Sequence, residues 1–233
     1  PELVKAMIDA MKFWVTEADI DGFRCDLAFW VELDFWKKAR PEVDKVKPLF
    51  WFAENDTWEH PEYMDVFDAS YTWKWMHMAK DYYQQTWPVD SLTKLLQFYN
   101  DAPGIKSWFT TNHDENSWNG TEYEKYGDMA IPLTVFSCTW NGIPLIYSGQ
   151  ELPNKKRLEF FERDPIEWTG KNALHDFYKT LLNLRTNNAA LKAGKDSETI
   201  MIATPTEPKL LSYLRKNGDK QVLVILNLGA VVV

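Results

Sequence analysis

Ile20-Asp21-Gly22-Phe23-Arg24-Cys25-Asp26 reads as a short apolar strand that ends on a carboxylate. Arg24 and Asp26 stand two positions apart, so on an extended backbone both point to one face, and the guanidinium beside the carboxylate holds it ionised. Upstream, Leu3, Val4, Met7, Ile8, Met11, Trp14 and Val15 recur at helical spacing and predict an amphipathic helix over residues 1–17. Downstream, strand and helix alternate again. A helical stretch over 32–39 is expected to stop at Arg40-Pro41, because proline disfavours a helical residue before it. The run Leu49-Phe50-Trp51-Phe52-Ala53 ends at Glu54-Asn55-Asp56, and the short piece 66–70 leads into a Trp- and Met-rich helix near 73–85, closed by Trp87-Pro88. A helix from Ser91 to about Tyr99 opens at Asp90 as its cap. The strand 107–111 ends in Asn112-His113-Asp114, residues 123–140 read as largely helical despite Pro132, and the strand 143–147 ends in Ser148-Gly149-Gln150-Glu151. A last amphipathic helix carries Leu174, Phe177, Tyr178, Leu181 and Leu182 and stops at Asn187-Asn188.

Five short apolar strands alternating with helices, without strict period-two polarity, predict an α/β domain built on a parallel sheet buried on both faces. From about residue 190 the pattern changes. Residues 199–203, 210–215 and 221–227 are strand-like, and Lys216-Asn217-Gly218-Asp219 supplies an Asn-Gly hairpin turn. The expected division is therefore a domain over 1–189 and a small antiparallel domain over 190–233.

Composition narrows the partners. With 45 % apolar and 26 % charged residues, the 233-residue chain is neither disordered nor collagen-like and can bury a core. No stretch approaches the roughly 20 apolar residues of a membrane helix, so no membrane partner is expected. A net charge of −8, from 26 Lys+Arg against 34 Asp+Glu, argues against nucleic acid as a partner, since such proteins carry a basic face. Cys25 and Cys138 are too few for a disulfide scaffold or a thiolate metal site and read as buried thiols. Twelve Trp, ten Tyr and thirteen Phe can fill a core or offer flat platforms to sugar rings, with Trp58, Trp73 and Trp118 as candidates for the second role.

The chemistry sits where the strands end. Asp26, Glu54 and Asp114 each close an apolar run, and in parallel α/β folds ligands bind at the carboxyl ends of the strands. An ionised Asp26 suits a nucleophile. Glu54 follows Trp51-Phe52-Ala53, and apolar neighbours favour the protonated form that a proton donor needs. His113 beside Asp114 reads as a donor to a sugar hydroxyl, because no second His or Cys lies at metal-ligand spacing. One ionised and one protonated carboxyl across an aromatic-rich cleft is an arrangement for cleaving a glycosidic bond.

Four ordered segments give the sequence a family resemblance. Asp21-Gly22-Phe23-Arg24-Cys25-Asp26, Phe52-Ala53-Glu54, Phe109-Thr110-Thr111-Asn112-His113-Asp114 and Gly142-Ile143-Pro144-Leu145-Ile146-Tyr147-Ser148-Gly149-Gln150-Glu151 resemble, in order and spacing, the conserved segments of the α-amylase family, glycoside hydrolase family 13. The resemblance implies a retaining mechanism on α-glucosidic linkages of starch or maltooligosaccharides. Asp26 matches the family's nucleophile, Glu54 its general acid/base and Asp114 the carboxylate that stabilises the transition state. Arg24 matches the arginine that orients the nucleophile, and His113 the histidine that binds the same sugar. In fold terms the chain resembles about strands 4 to 8 of a (β/α)8 TIM barrel followed by the start of an antiparallel β-sandwich domain. The missing N-terminal half of the barrel is then an expected partner, in keeping with a first residue, Pro1, that is not Met. Where many α-amylases carry Lys-His after the nucleophile, Phe29 and Trp30 stand here, a departure at positions that contact sugar and a calcium-linked backbone. No cofactor is identifiable in the sequence; calcium is admitted by the resemblance alone, with ligands that lie outside this sequence. Two other readings stand beside α-glucan hydrolysis: a glucan transglycosylase of the same family, and a non-catalytic carbohydrate-binding relative.

Overall fold

A computed structural model describes residues 1–84, 89–203 and 209–229; the expected helix end at Trp87-Pro88 lies outside them. Five parallel strands form one sheet in chain order, and three antiparallel strands form a second. The chain divides into two compact units, Pro1–Thr72 with Asp101–Lys106, and Trp73–Asn100 with Ser107–Val233.

The first unit opens with helix α1 (Glu2–Ala18), which ends where Asp19 turns left-handed at φ 50. Asp is one of the few side chains that tolerate that conformation. Strand β1 (Gly22–Cys25) follows, then helix α2 (Leu33–Val43), strand β2 (Phe50–Asp56) and strand β3 (Ala69–Tyr71). β1 and β2 pair in parallel with Gly22 opposite Phe50 and Arg24 opposite Phe52. A Cβ on Gly22 would stand 2.1 Å from the Phe50 carbonyl oxygen, so only glycine admits this close approach. Helix α2 runs past its expected stop and contains Pro41. A proline in the last turn forfeits a single backbone bond, and Arg40 is fixed in the helix by ion pairs to Asp44 at 3.3 Å and Asp68 at 2.8 Å.

Alternation along β2 sorts its residues between faces. Trp51 and Ala53 are fully buried in a cluster with Val15, Trp36, Ala39 and Val43, so α1 and α2 cover that side of the sheet. Phe52 and Glu54 point the other way, and there the burial expected on both faces is incomplete at β1 and at the start of β2, although β3 is buried throughout. Phe50 is 41 % exposed and the Arg24 side chain 28 %, because helices pack on one face while the opposite face carries the polar groups described below.

The second unit contains helix α3 (Trp73–Tyr83) and most of helix α4 (Val89–Asp101). Asp90 is the second residue of α4, inside its first turn, rather than its cap. Strand β4 (Ile105–Trp108) begins in the first unit, where the Ile105 amide donates to the Asp68 carbonyl at 2.8 Å, and ends in the second. The largely helical stretch expected over 123–140 is two helices, α6 (Glu122–Tyr126) and α7 (Ala130–Thr139), joined by a 3-10 turn at Gly127–Met129, and a short helix α5 (Glu115–Trp118) precedes them. Thr121 and Glu124 cap α6 reciprocally, and Pro132 falls in the first turn of α7, where its missing N–H has no helical acceptor to lose. Strand β5 is only Ile143–Pro144, since proline cannot continue the ladder as a donor, although the Leu145 amide still bonds the Trp108 carbonyl at 2.9 Å.

Helix α8 (His175–Asn187) leads to strands β6 (Glu198–Ile202), β7 (Leu210–Asn217) and β8 (Lys220–Asn227). Asn217 pairs with Lys220, so the hairpin turns on Gly218-Asp219 rather than on the expected Asn-Gly, with Gly218 at φ 57. A glycine at the first central position is what a type II′ hairpin turn requires. Tyr213 on β7 is fully buried, its hydroxyl 2.6 Å from Thr139 Oγ1 and its ring 4.7 Å from that of Trp140, so this sheet packs on the end of α7. Arg215, also fully buried, donates to the carbonyls of Ala190 and Lys192 and to Thr199 Oγ1, at 3.2, 2.9 and 3.0 Å.

Candidate active site

In the first unit the site grows from the end of β1. Arg24 points from the strand's open face, and Asp26 follows one residue beyond the last paired position. One guanidinium edge then serves two acids: Nη1 donates to Asp26 Oδ1 at 2.5 Å and Nη2 pairs with Glu54 Oε1 at 3.0 Å. The expectation tied Arg24 to Asp26 alone. Because Arg24 and Glu54 stand on the same face of neighbouring strands, the planar fork reaches both and sets the carboxyl groups side by side.

Glu54 differs from its expected surroundings as well. It is 7 % exposed, yet apolar neighbours do not define it: Oε1 takes the guanidinium, and Oε2 accepts the Leu27 amide at 2.6 Å. Leu27 provides that amide from a left-handed backbone, φ 39 and ψ 49, which L residues other than Gly, Asn and Asp rarely adopt. Strain of this kind persists where surrounding contacts over-determine it. Asp26 is the open member of the pair, its side chain 76 % exposed. Burial works against the Arg24 charge, but Tyr71, Asp26 and Glu54 outweigh it and hold the guanidinium above its ordinary range.

Sequence reasoning missed Leu27 and Tyr71. The first acts through its backbone, and the second lies 47 residues from Arg24, whose Nε–H donates to the Tyr71 hydroxyl at 3.3 Å. Around them, Phe29 stacks on His60 with ring centres 4.9 Å apart, while Trp30 and Trp58 are 75 % and 43 % exposed.

In the second unit, His113 and Asp114 sit on the loop after β4. Asn112 Oδ1 accepts the amides of Asp114 and Glu115 at 3.0 and 2.8 Å, which fixes the loop against the start of α5. His113 Nε2 lies 3.4 Å from Asp114 Oδ2, so the two predicted residues form a pair. Burial raises the Tyr147 hydroxyl's affinity for its proton, and the Asp114 charge adds to that. Beneath them is a buried polar layer that sequence reasoning also missed. Glu115 lies 3.7 Å from both Lys125 and His77, and Glu122 accepts from Thr110 at 2.7 Å and Gln150 at 2.9 Å. Of the candidate platforms here, Trp118 is 56 % exposed, whereas Trp73 is half-buried with its ring edge-on to Phe109 at 5.0 Å.

Among the described residues, no group of three or more His, Cys, Asp or Glu side chains could hold a metal ion, and no helix is long and apolar enough to cross a membrane. Cys25 and Cys138 are free and buried, with burial pushing both thiols up to about 12.

Known proteins resemble this chain in sequence and fold. The family model described as alpha amylase, catalytic domain, matches residues 1–166. Alpha-amylase 2 of Dictyoglomus thermophilum is 25 % identical over 246 residues, covering 97 % of this chain and 42 % of its own length. A cyclomaltodextrinase of Thermoanaerobacter pseudethanolicus is 25 % identical over 243 residues, covering 97 % of this chain and 40 % of itself. The solved structure of the maltogenic alpha-amylase AmyB from Thermotoga neapolitana superposes with a TM-score of 0.86 at 29 % identity, over 97 % of this chain and 53 % of that one. An alpha-amylase from Lactobacillus plantarum shares the fold with a TM-score of 0.84 at 24 % identity, over 100 % of this chain and 57 % of that one. This chain thus spans about two fifths of the length of the curated relatives it matches, 42 % and 40 % for these two. The matched residues span β1, β2, β4 and β5 with Arg24, Asp26, Glu54, His113 and Asp114, and the chain belongs to the α-amylase catalytic-domain family.

Proposed function

We propose that the protein containing this chain cleaves α-glucosidic linkages in starch or in linear and cyclic maltooligosaccharides by a retaining double displacement. The observation that carries this reading is the single guanidinium held between Asp26 and Glu54. A retaining pair works at a separation of about 5–5.5 Å, and a shared fork is a way to hold two acids close together. Asp26, open to solvent and paired with Arg24, attacks the anomeric carbon and forms the glycosyl-enzyme. Glu54 protonates the departing glycosidic oxygen and then takes a proton from the water that resolves the intermediate. Asp114 and His113 grip sugar hydroxyls as the ring flattens in the transition state.

The test uses the longest natural polypeptide that contains this chain. A fluorinated glycosyl substrate that is released slowly leaves its mass on the peptide carrying Asp26; label on any other peptide overturns the assignment. Exposed Trp30 and Trp58, on the segments that follow Asp26 and Glu54, offer stacking surface to an incoming sugar and favour transglycosylation as a second reading. Incubation with maltotriose separates the two, since longer products mean transfer, whereas glucose and maltose alone mean hydrolysis.

A further inference from the structure

We infer that Tyr71 is a positioning residue that locks the plane of the Arg24 guanidinium so that one fork engages both reacting carboxylates; this rests on the proposed roles of Asp26 and Glu54. Of the two bonds from the outer nitrogens, the one to Asp26 ends on a side chain 76 % exposed, which leaves the fork some freedom to turn about its bond to Glu54. The third bond, from Nε to the Tyr71 hydroxyl at 3.3 Å, ties the inner nitrogen and removes that freedom. Tyr71 is itself fixed. It is 3 % exposed, and its ring lies parallel to Phe52, 10° between planes with centres 4.6 Å apart. Phe52 is in turn the register partner of Arg24 on β1, so the contact runs across three adjacent strands.

The register explains how Tyr71 arrives there. Ala53 pairs with Ser70, but Tyr71 pairs with Asp56 instead of Glu54. A slip by two residues keeps every side chain on its own face while carrying Tyr71 past Glu54. Among the described residues, the titratable groups bonded to the guanidinium besides the Tyr71 hydroxyl are Asp26 and Glu54. Tyr71 therefore acts by geometry.

Tyr71→Phe, made in the longest natural polypeptide containing this chain, keeps the ring stack and removes only the hydroxyl. Loss of a hydrogen bond to a charged group predicts a fall in kcat of about 10-fold or more, with KM changed less than about 2-fold. In an Arg24→Lys background, which has no Nε–H, the same Tyr71→Phe change is expected to have no further effect on kcat. An equal loss in both backgrounds, or full activity of the single variant, overturns the proposal. A crystal structure of Tyr71→Phe gives a readout independent of turnover: the guanidinium is expected to turn away from at least one carboxylate. An unmoved guanidinium sinks the inference whatever the activity, whereas a wild-type protein that releases no sugar from any α-glucan refutes the proposed function instead.

Discussion

Two sets of carboxylates in this molecule stand in opposite surroundings. Asp26 and Glu54 share one arginine on the open face of a sheet, and Asp26 keeps most of its surface in water. Glu115 and Glu122 are buried, 5 % and 3 % exposed, and each holds a separate set of donors from several elements. Burial alone would raise both; in Glu115 the His77 bond and the Lys125 charge reverse the direction, while in Glu122 burial prevails. By the proposed reading, one shared donor, with at least one of the two acids open to water, marks the carboxylates that react. Private donors and complete enclosure mark one that holds the fold.

The sharpest break between the two sets is expected in turnover. Asp26→Asn and Glu54→Gln should each lower kcat by about a thousandfold or more in the complete polypeptide while leaving thermal unfolding within a few degrees. A variant that keeps near-normal rates removes its residue from the reacting pair. For the buried set the expected readout is stability. Lys125→Ala strands Glu115 without its ammonium partner and should lower the unfolding free energy in denaturant by about 3–5 kcal/mol, and pairing it with Glu115→Leu should recover much of that loss. Equal losses in the single and double variants would show that packing, not charge, decides there.

A smaller effect follows from pH. Burial lowers Lys125 and Lys106 to about 8, against partial opposition from Glu115 and from Asp56. Between pH 8 and 9 the unfolded chain keeps both protons and the folded chain sheds them, so stability rises with pH by about 2 kcal/mol across that unit. From about pH 8 upward the Cys25 and Cys138 thiols, pushed up to about 12 in the folded state, ionise first in the unfolded chain and offset part of that gain, more so above pH 9. Denaturant curves taken at half-unit steps should therefore climb from pH 8 and flatten near 9; a steady fall from pH 8 would contradict the buried ammonium groups. The least effect is expected from Gly218→Ala, where nothing lies within 4 Å of the added methyl but φ is 57, so the strain alone should lower stability by about 1 kcal/mol.

How much of this was legible beforehand depends on the distance over which each feature is set. Arg24 beside Asp26, and Glu54 at the end of an apolar run, are local patterns, and the strands that carry them formed where periodicity placed them. The second acceptor of Arg24 depends on which strand lies alongside β1, and Tyr71 on a register slip in the strand after that. Neither leaves a trace in spacing. The same holds for Pro41, retained in α2 because Arg40 reaches Asp68 from a distant segment. The Leu27 amide is a backbone group whose direction follows from a φ that side-chain identity argues against.

Arg215 bears on how this polypeptide can be cut. Its guanidinium is sealed beneath the turn that follows α8 and lends its hydrogen bonds to backbone oxygens on both sides of residue 191. Removing everything after that turn would leave those carbonyls without donors and uncover the Trp140 ring that Tyr213 shields. A stretch that looks in sequence like a natural seam is therefore a poor place for scissors: a protease that nicks loops should spare residues 188–192 until the antiparallel sheet has already come away.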